Sequence, residues 1–211
     1  MVVCPKWSNL LQTECMKKIM LGIFALLLSA LSFAQVQSDD KVLNERLAGY
    51  MGANKALDFE KLFDYIHPNL FKVAPKEQLL VAFKQAFDNE ALQIGIDTIE
   101  IKAIGEPFTA GTGTYRRVDY SMSMHLTFKD SSVYDKPDFE NTVLASFQKS
   151  FGDKTVSFDK AAKMFRIRGA DVMYAIKDNA QKPWLFIGYE KNKDLMEAIF
   201  PPAVIKHFKL L

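Results

Sequence analysis

From residue 39 onward the hydrophobic positions fall first into a helical rhythm and then into a two-residue one. Val42, Leu43, Leu47 and Tyr50 recur at helical spacing behind Asp39 and Asp40, which can cap the segment, and the pattern predicts a helix ending near Gly52. A second, short helix carries Leu57, Phe59, Leu62, Phe63 and Ile66 and stops before Pro68, because proline disfavours helical backbone at the preceding His67. A third begins after Pro75 and places Leu79, Leu80, Phe83 and Phe87 on one face.

The period then changes. Leu92, Ile94 and Ile96 alternate, and the apolar phase slips by one to Ile99 and Ile101, as a bulge near Asp97 and Thr98 would make it do. After the turn-rich stretch Gly105–Gly113 comes a long strand. Its even positions are Val118, Tyr120, Met122, Met124, Leu126 and Phe128, and its odd positions Arg117, Asp119, Ser121, Ser123, His125 and Thr127. That alternation predicts an antiparallel sheet with one buried face, helices on that side, and one wet face. A fourth helix from about Pro137 presents Phe139, Val143, Leu144, Phe147 and Phe151 and ends at Gly152. Short strands follow near Thr155–Phe158, Met164–Arg168, Val172–Lys177 and Trp184–Tyr189, the last three joined by turns at Arg168–Asp171 and Lys177–Lys182. Trp184–Tyr189 is apolar on both faces, which predicts a central place in the sheet. A helix around Asp194–Phe200 and a last turn after Pro201-Pro202 close the chain. Val81–Phe87 with Leu92 echoes Leu144–Phe151 with Val156, as either a duplicated helix–strand unit or two helix-to-strand junctions that solve the same packing problem would. The whole reads as α+β: N-terminal helices on a curved antiparallel sheet, an extra helix between strands, and a short C-terminal helix.

The stretch upstream of this domain changes the picture. Lys17 and Lys18, the apolar run Ile19–Leu31, and the small residues Ser32 and Ala34 have the layout of a secretory signal peptide cleaved after Ala34. The apolar run is about 13 to 15 residues, short of the roughly 20 that span a bilayer. Trp7 and Glu14 in residues 1–15 suit neither a signal start nor a folded element, so translation is expected to begin at Met16, with 1–15 a misplaced upstream extension. The expected organisation is therefore 1–15 extension, 16–34 signal peptide and 35–211 one domain, with no linker after residue 40. Localisation is expected to be exported, either periplasmic or extracellular, with no membrane anchor after cleavage.

Cys4 and Cys15 are the two cysteines, and both precede the signal. The expected mature chain has 24 basic and 24 acidic residues, so the positive balance belongs to the part removed. Zinc–thiolate and cysteine-nucleophile chemistry are excluded for that mature chain, and no basic face offers the phosphate-neutralising charge of a nucleic-acid binder.

Helices followed by a curved antiparallel sheet, the segment Asp64-Tyr-Ile-His-Pro-Asn-Leu-Phe71, the Trp184-Leu-Phe-Ile run and the closing Ile199-Phe-Pro-Pro-Ala-Val204 together resemble the NTF2-like (cystatin-like cone) superfamily, and within it uncharacterised secreted bacterial proteins. The helix at Pro137–Phe151 departs from the simplest version of that fold. The resemblance implies a cone with a pocket between sheet and helices, and no particular activity.

Tyr120, Met122, Met124, Tyr174 and Trp184 are the residues expected to line a ligand pocket. The leading expectation is a non-catalytic exported domain that binds a small apolar ligand or a cell-envelope protein, with its oligomeric state open. The alternatives are an NTF2-like isomerase, cyclase or dehydratase, and a structural envelope component. The enzyme would use an inward Asp or His base, with Asp97 as the best carboxylate and Tyr120 or Tyr174 as donor. Asp97 otherwise belongs to the wet face or the bulge, His125 to the polar strand face with a loose cross-strand partner, His67 to a helix end, and His207 to a final helical turn.

No cofactor or metal is expected. Met122 and Met124 suit Cu(I), but strand geometry sends them to one face and His125 to the other. Asp130, Asp135 and Asp138 lack calcium-loop spacing and are explained by the start of a helix. Ala110–Arg117 lacks the endings of a phosphate loop and is read as a turn.

Overall fold

The computed structural model describes residues 39–87, 90–180 and 182–211. The expected extension and signal peptide lie outside the described residues. Compactness divides the chain into Met1–Asn44 and Glu45–Leu211. Of the first unit only helical positions 39–44 are described, and the fold below is that of the second.

Helix α1 covers 39–55 and runs through Gly52 instead of ending there. The reversal comes at Leu57, in the left-handed region with φ 54°. Asp58 then caps α2 (Phe59–Phe63), its carboxylate accepting from the Lys61 N–H. Phe59 and Phe63 pack edge-on and tilted against Phe83 and Phe87 of α3 (Lys76–Phe87), with centroids 5.1–5.8 Å apart. Aromatic pairs at such distances add to the burial that holds the two short helices together.

The sheet has six antiparallel strands: β1 (Leu92–Ile104), β2 (Phe108–Ala110), β3 (Gly113–Phe128), β4 (Thr155–Asp159), β5 (Met164–Lys177) and β6 (Leu185–Gly188). The order is β1-β3-β5-β4, with β2 added to β3 and β6 to β5. Helix α4 (Phe139–Phe151) lies between β3 and β4 in sequence, and α5 (Lys193–Ile199) and α6 (Pro202–Phe208) close the chain. The two echoing helix-to-strand junctions lead into β1 and β4, the first and last strands of that order.

The expected bulge is present: β1 slips register on β3 between Ile96 and Thr98. Other expectations need correction. Part of the Gly105–Gly113 stretch is strand β2, which forms a tight hairpin with β3 through Gly111 at φ 61°. Arg168–Asp171 is no turn, because β5 runs unbroken and pairs Gly169 with Met122 and Ala170 with Ser121. Gly169 serves a side chain crossing instead: a Cβ there would lie 2.7 Å from Lys154 Cγ, whose ammonium reaches Asp171 at 2.7 Å.

The Trp184–Tyr189 segment is not central either. Strand β6 pairs with β5 alone, and its outer side is covered by the 65–67 segment, where Phe186 N–H donates to Tyr65 O at 2.7 Å and His67 N–H to Phe186 O at 3.1 Å. That cover, with a parallel bridge at Ile66–Phe186, explains why the segment is apolar on both faces.

Asp138 occupies the α4 cap position with φ 59° and makes no side-chain cap bond, whereas Asp130 caps the 3-10 turn Ser131–Asp135. His67 begins the 3-10 turn Pro68–Lys72 and does not end a helix, its Nδ1 accepting from Asn69 N–H at 3.3 Å.

The wet face is wet over only part of its length. On the even face, Leu126 and Ile167 with Val156 pack against Leu144, Phe147 and Phe151 of α4. On the odd face, Tyr115, Tyr174 and Ile176 are buried under Met196, Ile199, Phe200 and Val204 of the C-terminal helices. Helices therefore sit on both faces, at different places.

Candidate functional site

The odd face of β3 stays open beyond the reach of α5 and α6, and there four strands assemble a polar surface in cross-strand rows. One row runs Gly95–His125–Arg166–Ser157, the next Thr98–Ser123–Arg168–Thr155, and a third Glu100–Ser121–Ala170. The bulge sets the chemistry. One extra residue between Ile96 and Thr98 lets Asp97 and Thr98 face the same side, where a regular strand would turn one of them away.

Asp97 gathers three partners. Its Oδ1 accepts from His125 Nδ1 at 2.6 Å, and its Oδ2 lies 3.4 Å from Ser123 Oγ and 3.5 Å from Arg166 Nη1. An ionised carboxylate only accepts, so the His125 Nδ1 carries the proton. The imidazole lies against Gly95: a Cβ at that position would overlap His125 Cε1 and lie 2.6 Å from Nε2. Glycine is thus the residue that lets the ring take this pose. The Nε2 makes no hydrogen bond among the described residues.

Arg166 is held a second time, at 3.5 Å from Asp159 Oδ2. The Ala162 N–H, and after it Arg166, hold the Asp159 carboxyl below the usual carboxylate range. Glu100 is bound by Lys102, which likewise lowers its pKa. Arg168 sits between Ser123 and Thr155 and makes no hydrogen bond or ion pair among the described residues. Together Asp97, Thr98, Glu100, Ser121, Met122, Ser123, Thr155, Arg166, Arg168 and Gly169 border an open cleft of about 580 Å³.

No protein-family model and no curated protein sequence matches this chain. The reading of the site therefore rests on its own geometry.

Of the five residues expected around a ligand, Met122 alone borders this cleft. Tyr120 and Met124 share its even face. Met124 packs against the Leu126–Val156–Ile167 cluster, and burial, with Tyr50 and then Asp171 nearby, pushes the Tyr120 phenol well above its ordinary pKa. Trp184 is fully buried; its carbonyl accepts from Arg46 Nε at 3.1 Å, and its Nε1 has no partner among the described residues. Tyr174 lies on the opposite face, paired across from Arg117 and packed between Phe200 and Phe208 with centroids 5.4 and 5.1 Å away. Burial raises its pKa too.

Asp97 and His125 meet although 28 positions separate them, and the contact is tighter than the loose pairing expected for His125. Met122 and Met124 do point away from His125, since they pair with Gly169 and Ile167 while His125 pairs with Arg166. His207 stands in the last turn of α6, stacked on Phe108 at 3.8 Å. Arg166 and Arg168 were not among the expected site residues. The signal available for them was their own alternation, Arg-Ile-Arg, matching the odd-position polarity of β3. No described helix is long and apolar enough to cross a membrane.

Proposed function

We propose that this is an exported, non-catalytic binding domain of the NTF2-like kind, and that it holds a small polar ligand in the open cleft on the odd face of the sheet. One observation carries the reading: a concavity of about 580 Å³ bordered by hydroxyls, two guanidinium groups and the Asp97 carboxylate from four strands, with His125 bound to that carboxylate from behind. That volume falls within the range of small-molecule sites. The apolar-ligand version draws on Tyr120, Met122, Met124, Tyr174 and Trp184, which do not share one face, and is the weaker of the two.

Native mass spectrometry of protein isolated from its host compartment tests the reading. A co-purifying small molecule that is lost from an Ala170→Trp variant, which fills the cleft beside Ser121, supports it. A ligand retained by that variant moves the site elsewhere. The same sample tests export, because the expected mature protein begins at Gln35.

A second reading is favoured by the 2.6 Å Asp97–His125 contact: Asp97 orients the imidazole and its Nε2 acts as a general base on the bound molecule. Turnover of the co-purifying compound that His125→Gln abolishes, with binding kept, would favour this enzyme over the binding module.

A further inference from the structure

The geometry points to an oxyanion, a carboxylate or a phosphate monoester, as the group that the cleft recognises, with Arg168 as its anchor. This rests on the cleft being the binding site.

The charges in the cleft are unevenly committed. Asp97 is occupied by His125, Arg166 and Ser123, and Arg166 is divided between Asp97 and Asp159. Glu100 is taken by Lys102. Arg168 is the guanidinium left over, without a hydrogen bond or ion pair among the described residues. Its neighbours are suited to an anion. Ser123 and Thr155 flank it in the same cross-strand row; the Ser123 hydroxyl donates to Asp97 at 3.4 Å, and Thr155 supplies the hydroxyl donor beside the planar fork of N–H donors. In the adjoining row Ser121 faces Ala170, whose small side chain leaves space beside the guanidinium. Arginine binds carboxylate and phosphate through two parallel hydrogen bonds, a geometry that lysine cannot reproduce. On the other side, Arg166 keeps the two carboxylates nearest to it neutralised, so a second negative charge can approach.

The test uses NMR of the folded chain, with three probes added separately: succinate, glycerol 1-phosphate and neutral glucose. Succinate or glycerol 1-phosphate is expected to shift the Arg168 side-chain and the Ser121, Ser123 and Thr155 amide signals, and glucose to shift none. The response to succinate against glycerol 1-phosphate separates the carboxylate from the phosphate source. Arg168→Gln is expected to weaken the bound anion about tenfold or more, and Arg168→Lys to recover only part of that loss, with thermal stability unchanged in both. If glucose shifts the same signals as strongly as the anions, or Arg168→Gln binds them unchanged, the oxyanion assignment falls while the cleft remains a site. If no probe moves any cleft signal, both readings fall.

Discussion

Two histidine–aspartate pairs in this protein share one chemistry and differ in almost everything else. His67 is 3% exposed; its Nδ1 accepts from a backbone N–H and its Nε2 donates to Asp178 at 3.1 Å, so both nitrogens are engaged. Asp178 itself is half exposed. In the second pair both side chains are 27% exposed, one imidazole nitrogen is engaged by Asp97, and the other has no bond among the described residues. The first pair fastens a 3-10 turn to the end of β5. The second joins neighbouring strands through Asp97, which borders the cleft, and leaves one ring nitrogen without a bond among the described residues. Proximity of an imidazole and a carboxylate says little about role; the fate of the second nitrogen says more.

His67→Ala should cost the most, about 3 kcal/mol, since it removes a buried ring, a cap and a cross-chain hydrogen bond at once. Thermal melting should show it, and a loss under 1 kcal/mol would erase the contrast between the pairs. Gly95→Ala comes next, at about 1–3 kcal/mol of crowding against the His125 ring. Its sharper readout is the His125 imidazole signal, which should move while that of His67 stays in place.

The third test concerns the strand behind His125. Burial raises the pKa values of Tyr120 and Tyr50 above the ordinary 10.0. The folded chain keeps both phenolic protons where the unfolded chain releases them, so stability should be complete below pH 10 and fall as pH rises above it. Tyr120→Phe should flatten that decline; an unchanged slope would mean that the back of β3 is wet. Smallest are the carboxylate changes. Asp97→Asn should cost about 1 kcal/mol, because Arg166 loses a partner as well, and Asp178→Asn about 0.5 kcal/mol or less, both from urea unfolding. Equal losses would make the two pairs equivalent.

What the sequence disclosed, and what it withheld, follows from the range of the interactions involved. The bulge at Asp97 was legible because a slip of one residue inverts the apolar phase of Ile94–Ile96 against Ile99–Ile101, a signal confined to one strand. The α+β class and the starts of α3 and α4 were legible for the same reason. Gly169 misled, because a glycine that yields to the Lys154 side chain looks like a glycine that makes a turn. Trp184–Tyr189 reads as central since nothing local reveals that residues 65–67 will cover it. The pairing of Asp97 with His125 and the Arg166–Arg168 surface depend on strand register across β1, β3 and β5, which alternation within one strand does not fix. The burial of Tyr174 required knowing where the last two helices fold back.

The ties between the two ends of this domain bear on the order of events in folding. Arg46 binds the carbonyl of Trp184 across 138 positions, Asn69 that of Ile199 across 130, and His67 reaches Asp178 across 111. Contacts of such separation carry a high loop-closure entropy and slow the search for the native state. On a ribosome, the N-terminal helices would emerge long before the strand that seals them. The chain should therefore remain loosely structured until nearly all of it has been synthesised, and then lock in one late, cooperative step.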